Sequence, residues 1–530
     1  MSEPVDRAAS GGLTGGAASD VATVARGGAV QIAGQVSQRG LTFLFTVVAA
    51  RLLLPAGLGL YRQAAQILAI GGQLGLAGYN YAAMRFITKA RAAQEPAGVR
   101  GAARVAVTGS LVASAAVVMV MLLAAEEIAR AFVGTGGGEA EEGSFAFLLR
   151  IGAAYVPFFA VTQVLRYCTQ AYRTMVPSVI VGNIIQPSVR FVVGVAALLA
   201  GFAVTGAVTT LVVSYAVSAV AGVWFFRRML TDDERVAAPR FETGAMTRFA
   251  LPQAGASLLG IQSLGLGIIV LGLVLDSDVP IGLFSVALAL QAPGGVFLSG
   301  IVNIWAPVVS DLHERGEMDR LDSLYKTITR WVVTFAFPVY AVLIIMPELF
   351  VRLVAGPRYA DAASLVAVLA LGNIFYSGTG PTGYVISMTG RPGINFANSV
   401  VGVGAYALAG FVFVPRYGVI AMAWIDALIT TLINMVRVIE AKLLVGVQPF
   451  GRSFLKPVAA TAVAAGALVA WKLALGDALL PSIIGLIVAG ALYLLVLRVL
   501  GIDPEERYVW DRIRTRAFKS RGRKSSRSEL

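Results

Sequence analysis

Arginines set inside stretches apolar enough to cross a bilayer are the residues through which this chain could do chemistry. Residues 27–53 form one such stretch, yet they carry Gln31, Gln35, Arg39, Thr42 and Thr46, spaced four, four, three and four apart. On a helix that spacing makes a single polar stripe. Arg39 sits near mid-span, where an arginine costs at least about 2.5–3.5 kcal/mol unless it faces protein or water. It is badly placed to snorkel, and no acid lies within one helical turn. The stripe must therefore face something polar within the membrane, either a lumen or an acidic partner from another span.

Other spans repeat the pattern. Arg190, also well inside the membrane, shares a face with Asn183 and Gln186 at spacings of three and four, and Arg62 shares one with Gln66 and Gln73. Gln253 in residues 247–273, Gln291 and Asn303 in 279–305, and Asn373 in 360–382 add further amides. Amides alone read better as interhelical glue, worth roughly 0.6 kcal/mol per contact, but glue does not need positive charge. A lumen lined by cations and amides suits an anionic ligand rich in hydrogen-bonding groups. Phosphate and sugar hydroxyls fit both features, because a guanidinium holds phosphate through a planar fork of donors. A greasy drug cation would instead want carboxylates and aromatics. Asp426, near one end of span 419–441, is the one evident acid in a span; it reads as an interfacial cap or as a site for a coupling proton or sodium ion.

The elements that must position these groups are membrane helices. The 530 residues are 57% hydrophobic and only 14% charged, with a mean hydropathy of +0.76. Many separate runs of about 20 apolar residues alternate with short charged loops, the length a helix needs to span a bilayer. The short alternating segments of a membrane barrel are absent, so the chain is read as an all-α polytopic membrane protein. Fourteen spans are expected, near 27–53, 57–82, 104–124, 145–166, 176–200, 205–226, 247–273, 279–305, 326–347, 360–382, 394–414, 419–441, 457–475 and 481–500.

The formal charge of +13 is distributed among alternate loops, Arg166 and Arg173 counted in one of them, and the tail, which is the positive-inside pattern and no nucleic-acid footprint. Both termini are then cytoplasmic. The Gly/Ala/Ser-rich residues 1–25 read as a disordered cytoplasmic tail, and residues 501–530 as a basic one attracted to anionic lipid. Between them come a six-helix lobe at 26–230, a charged linker at 231–246, a second six-helix lobe at 247–442 and two further helices at 443–500. A weak repeat supports the division. Pro55, Gly59, Leu60 and Tyr61 are echoed by Asp278, Gly282, Leu283 and Phe284 at a constant offset, and six intervening spans give both copies the same orientation. The pseudo-twofold axis then runs along the membrane normal.

Catalytic readings find little footing. The single histidine, His313, lies in a charged cytoplasmic loop; there is one cysteine, Cys168, no His/Cys cluster for a metal and no phosphate loop. No cofactor and no enzymatic activity are expected. Asp276 and Asp278 sit in a turn, as in membrane glycosyltransferases that use lipid-linked sugars, but Asp278 ahead of Pro280 reads first as a helix cap.

The run Ala50-Arg51-Leu-Leu-Leu-Pro55-Ala-Gly-Leu-Gly59-Leu-Tyr61, then Gly78 and Arg85-Phe86-Ile87, resembles the opening signature of oligosaccharide (O-antigen type) flippases. Those proteins belong with lipid II flippases and multidrug exporters in one transporter superfamily. Ala306-Pro307, Phe337-Pro338, Val354-Ala-Gly356 to Tyr359, Thr389-Gly390-Arg391 and Val414-Pro415-Arg416-Tyr417-Gly418 extend the resemblance over residues 26–442. The resemblance implies two six-helix lobes around a central cavity, with two extra C-terminal helices. It implies transfer of polyprenyl-diphosphate-linked sugars across the plasma membrane by alternating access. Lumen arginines such as Arg39 and Arg190 would engage the diphosphate. Expected partners are the lipid-linked glycan, membrane lipids and an envelope glycan polymerase or glycosyltransferases. Two departures stand out: the family's usual glycine before Pro55 is Leu54, and span 247–273 lacks a mid-span cation. A drug or metabolite exporter, or a lipid II flippase, of the same fold is the alternative.

Overall fold

The computed structural model describes residues 15–133, 139–258 and 265–501, without the side chains of 15–29, 256–258, 303–304 and 307. All regular structure among the described residues is helical. In chain order the first elements are α1 (Gly15–Leu76), α2 (Tyr79–Ala92), α3 (Pro96–Leu123), α4 (Ala125–Val133), α5 (Glu139–Gly152) and α6 (Tyr155–Gln170). There follow α7 (Val176–Val179), a π-helical turn (Ile180–Ile185), α8 (Gln186–Leu199), α9 (Ala203–Met229), α10 (Asp232–Val236), α11 (Thr243–Leu258) and α12 (Leu266–Val274). The remainder comprises α13 (Asp278–Glu314), α14 (Met318–Ile345), α15 (Pro347–Val354), α16 (Ala362–Gly378), α17 (Thr382–Met388), α18 (Pro392–Tyr417), α19 (Val419–Glu440), α20 (Leu455–Leu475) and α21 (Leu479–Val499).

Eleven of the described helices are long and apolar enough to cross a membrane, or twelve if the bent pair α16 and α17 forms one span. Fourteen were expected, and the difference has two visible sources. The first two expected spans run as one helix, part of a 63-residue segment from Val30 to Ala92, about three times the length a bilayer requires. The expected span 247–273 passes through 259–264, which lie outside the described residues, as do most of both terminal tails.

The break between the first two spans falls where the sequence placed it. Pro55 excludes the helical conformation at the residue before it, and Leu54 leaves the helix at φ 63°, ψ 171°. A positive φ is costly for a branched residue but free for glycine, which accounts for the glycine that the resembling family carries here. Leu54 holds this backbone at an expense of order 1–3 kcal/mol.

The chain divides into two compact units. One comprises 1–289, 354–365 and 399–426, the other 290–353, 366–398 and 427–530. Within the first, the repeated Gly59 and Gly282 meet each other's segments. A Cβ on Gly59 would overlap the carbonyl of Asp278, and one on Gly282 would overlap the carbonyl of Pro55. The two contacts exchange under the same offset as the repeat, so the sequence echo is a reciprocal backbone crossing. Gln63 donates to the Asp278 carboxylate beside it. The motif ending at Tyr359 also packs here, since the Tyr359 hydroxyl donates to the Ala50 carbonyl at 3.0 Å and Arg51 Nε to that of Val354 at 3.2 Å. In the second unit, Trp305, Val309, Leu321, Tyr325 and Val385 form a buried cluster, and Tyr493 on α21 ties to α14 through the Thr334 carbonyl at 2.7 Å.

Candidate functional site

The first unit brings together Arg62 and Arg190, two of the arginines singled out by spacing. Arg62 projects from α1 just after the Leu54 break, and its Nη2 donates to Thr46 Oγ1 on the preceding arm of the same helix at 3.4 Å. Arg190 comes from α8. Its Nη2 donates to the Tyr61 hydroxyl, and its Cζ lies 4.9 Å from the centre of the Phe45 ring. The kink is what allows Phe45, Thr46, Tyr61 and Arg62, all on α1, to surround one point from two directions.

Both guanidinium groups gather about the same stretch of α1, Arg62 at Thr46 and Arg190 at Tyr61 and Phe45. Neither makes an ion pair among the described residues, and the Nε of each is buried without a hydrogen-bond partner. Aromatic side chains close the surroundings. Tyr155 and Tyr215 stand with ring centroids 5.0 Å apart, and Phe159 packs on both. Two half-buried guanidinium groups with unused Nε donors have the chemistry to accept an anion.

A second cluster stands around the π-helical turn. Arg166, on α6, donates to the Ser178 carbonyl at 3.1 Å, to Gln163 Oε1 at 2.8 Å and to Asn183 Oδ1 at 3.1 Å. Asn183 in turn donates to Gln38 on α1 at 2.7 Å. A Cβ on Gly182 would run into the Arg166 guanidinium, so the absence of a side chain is what lets that group lie over the turn.

The expected stripe of Asn183, Gln186 and Arg190 is not one face in the fold. Asn183 meets α6 and α1, Gln186 donates to Ser214 on α9 at 3.2 Å, and Arg190 reaches Tyr61 on α1. The wide turn ending at Ile185 interrupts the 3.6-residue period on which the stripe was drawn.

The remaining candidates scatter. Gln31 and Gln35 are half-buried and Arg39 is exposed on α1. Gln66 is buried, its Nε2 without a partner among the described residues. Gln253 is half-buried on α11, and Asn303 belongs to α13 with its side chain outside the described set. In the second unit Gln291 donates to the Val366 carbonyl at 3.2 Å and Asn373 to the Leu369 carbonyl of its own helix at 2.9 Å. Asp426 is half-buried on α19. Sequence reasoning treated Arg166 as a loop residue and passed over Phe45, Tyr155 and Tyr215. A signal for Arg166 was present, because Thr162, Gln163, Arg166 and Gln170 recur at helical spacing. No group of His, Cys, Asp or Glu among the described residues could hold a metal.

A family described as polysaccharide biosynthesis protein matches residues 24–313, more than half of the chain. No curated protein matches. Among solved structures, the lipid II flippase MurJ in an inward-closed conformation superposes with a TM-score of 0.72 at 12% identity, covering 88% of this chain and 97% of that one. An inward-facing multidrug resistance transporter of the MATE family gives 0.61 at 14% identity, covering 78% and 98%. A MOP superfamily transporter from Pyrococcus furiosus gives 0.55 at 14% identity, covering 81% and 96%. At such identities the likeness establishes the fold alone, an all-α polytopic architecture shared with those proteins.

Proposed function

The chain belongs to the polysaccharide biosynthesis protein family, and from that premise we propose that it is a flippase moving polyprenyl-diphosphate-linked oligosaccharide across the plasma (inner) membrane for envelope polysaccharide assembly. The observation that carries this reading is the pair Arg62 and Arg190, half-buried about the same stretch of α1, with buried and unused Nε donors and no carboxylate partner among the described residues. A diphosphate supplies the charge and the acceptors that this pair lacks. Tyr61, Tyr155 and Tyr215 offer hydroxyls and ring faces to the first sugar, and Gln66 an unused amide donor. Gln31, Gln35 and Arg39 would guide the head group along α1, with Asn183, Gln186 and Gln253 as further contacts.

The lipid tail stays in the bilayer while alternating access carries the head group across. The termini are cytoplasmic in this reading, with fourteen spans, a lobe boundary at 231–246 and two helices after residue 442. The Gly59 and Gly282 crossing then lies toward the extracytoplasmic side and seals it. The sequence carries no phosphate-loop motif for nucleotide, so the drive comes from an ion gradient, the membrane potential or consumption of the product; Asp426 is the candidate for ion coupling.

The test is to assay strains carrying Arg62→Ala, Arg190→Ala or Arg39→Ala for lipid-linked glycan stranded in the cytoplasmic leaflet. Loss of envelope glycan with unchanged protein in the membrane is the expected result for Arg62 and Arg190, and normal export by both variants overturns the assignment. A second reading, flipping of lipid II, is favoured by the extent of the MurJ superposition. Identification of the accumulated lipid-linked glycan separates the two, and drug sensitivity without an envelope defect would point to an exporter.

A further inference from the structure

The outward faces of α3, α6 and α9 carry a crevice of about 1200 Å³, larger than the roughly 300–1,000 Å³ of a site for a drug-sized molecule. Its wall is apolar, built from Val107, Leu111, Phe158, Val161, Val220 and Val223. Leu111, Phe158, Val220 and Trp224 are exposed on helices long and apolar enough to cross a membrane, so they face acyl chains. One end of the crevice is different. Arg100, Arg104, Arg227, Arg228 and Arg235 gather there, and no carboxylate or amide side chain lines any part of it.

That basic end is built, not merely charged. Arg100 donates to the Ala237 carbonyl at 3.0 Å and the Arg240 amide to the Ala97 carbonyl at 2.9 Å, tying the segment after α9 to α3. A capping box of Thr231 and Glu234 starts α10, and the Tyr172 hydroxyl donates to Glu234 at 2.7 Å. Burial, then the Glu234 carboxylate, push the Tyr172 phenol above its ordinary range, which keeps it a donor. Arg228 lies 4.0 Å over the Trp224 ring, and Arg235 pairs with Asp232 at 3.3 Å. Arg104 and Arg227 make no ion pair among the described residues and are exposed.

We propose that this crevice binds an anionic phospholipid of the cytoplasmic leaflet, its phosphate held by Arg104, Arg227 and Arg228 and its acyl chains laid along the apolar wall. Basic pockets between membrane helices on the cytoplasmic side recognise anionic head groups in this manner. A bilayer phospholipid fits better than the lipid-linked glycan, because the cations gather at one end of a long apolar wall and no carboxylate or amide lines it, as suits a phosphate followed by acyl chains.

The experiment places the purified full-length protein in bilayers of neutral lipid and titrates in phosphatidylglycerol or phosphatidylcholine with brominated chains. Tryptophan quenching is read in the wild type and in Trp224→Phe, so that the difference reports Trp224. Brominated phosphatidylglycerol is expected to quench Trp224 at a lower mole fraction than brominated phosphatidylcholine. Arg104→Gln with Arg227→Gln should reduce that preference by about tenfold or more, at about fivefold per arginine, and the corresponding Lys pair should keep most of it. Equal quenching by the two lipids in the wild type overturns the proposal without recourse to any variant. So does a preference that survives the double Gln substitution, or displacement of phosphatidylglycerol by a smaller mole fraction of polyprenyl diphosphate. Because no step of the assay involves transport, its outcome is independent of the flippase reading.

Discussion

Arg166 and Arg190 belong to the same unit and carry the same charge, Arg166 lying over the π-helical turn and Arg190 standing on the helix that leaves it. Arg166 meets acceptors on every side: a backbone carbonyl, Gln163 and Asn183. Arg190 meets one tyrosine hydroxyl and the face of a phenyl ring, stands near a second arginine, and keeps a buried Nε without an acceptor. Positive charge within the membrane is therefore no evidence of a ligand by itself. The state of its donors is what separates a structural arginine from one that awaits an anion.

The comparison can be broken most directly at Arg62 and Arg190 together. Each charged hydrogen bond to a ligand is worth about 1.5–3 kcal/mol, so the double alanine variant should lose about a hundredfold or more in glycan export while its level in the membrane and its melting temperature hold. Arg166→Ala should do the reverse. It strands buried acceptors at about 1–3 kcal/mol each, which lowers the melting temperature in detergent, while the protein that remains folded still exports. If instead Arg166→Ala abolishes export at unchanged stability, the distinction between the two arginines fails. Tyr61→Phe removes the hydroxyl that orients Arg190 and should weaken transport several-fold, at about 0.5–1.5 kcal/mol, with no change in protein level. Leu54→Gly should have the smallest effect, a gain of up to about 1 kcal/mol in stability, since the strain released is partly offset by glycine's chain entropy. Calorimetry in detergent would register it, and a loss of stability would mean that Leu54 packs better than it bends.

What could be read from the sequence was what depends on local composition. Apolar runs marked the spans, Pro55 marked the break, and the echo of Gly59 in Gly282 marked a repeat, though not that the two copies touch. Arg62 and Arg190 stood out because charge in an apolar run is costly. Their meeting did not, because it depends on the bend at Leu54 and on which way α8 leaves the π-helical turn, and neither follows from a fixed helical period. The same turn dispersed Asn183, Gln186 and Arg190, which a 3.6-residue period had aligned. Arg166 was misread because loops that alternate in charge invite every basic residue near a helix end to be counted with them. Arg39 drew the most attention from its sequence position, yet its side chain lies on the exposed surface of α1.

The crossing of Gly59 and Gly282 constrains how any such transporter can move. Where backbones touch without intervening side chains, the spacing is set by covalent dimensions, and there is no soft cushion of rotamers to yield by degrees. The junction can turn about itself or come apart, and intermediate separations would leave a bare gap that neither lipid nor water fills well. A methyl group added at either glycine would act as a wedge, favouring the parted arrangement from the start.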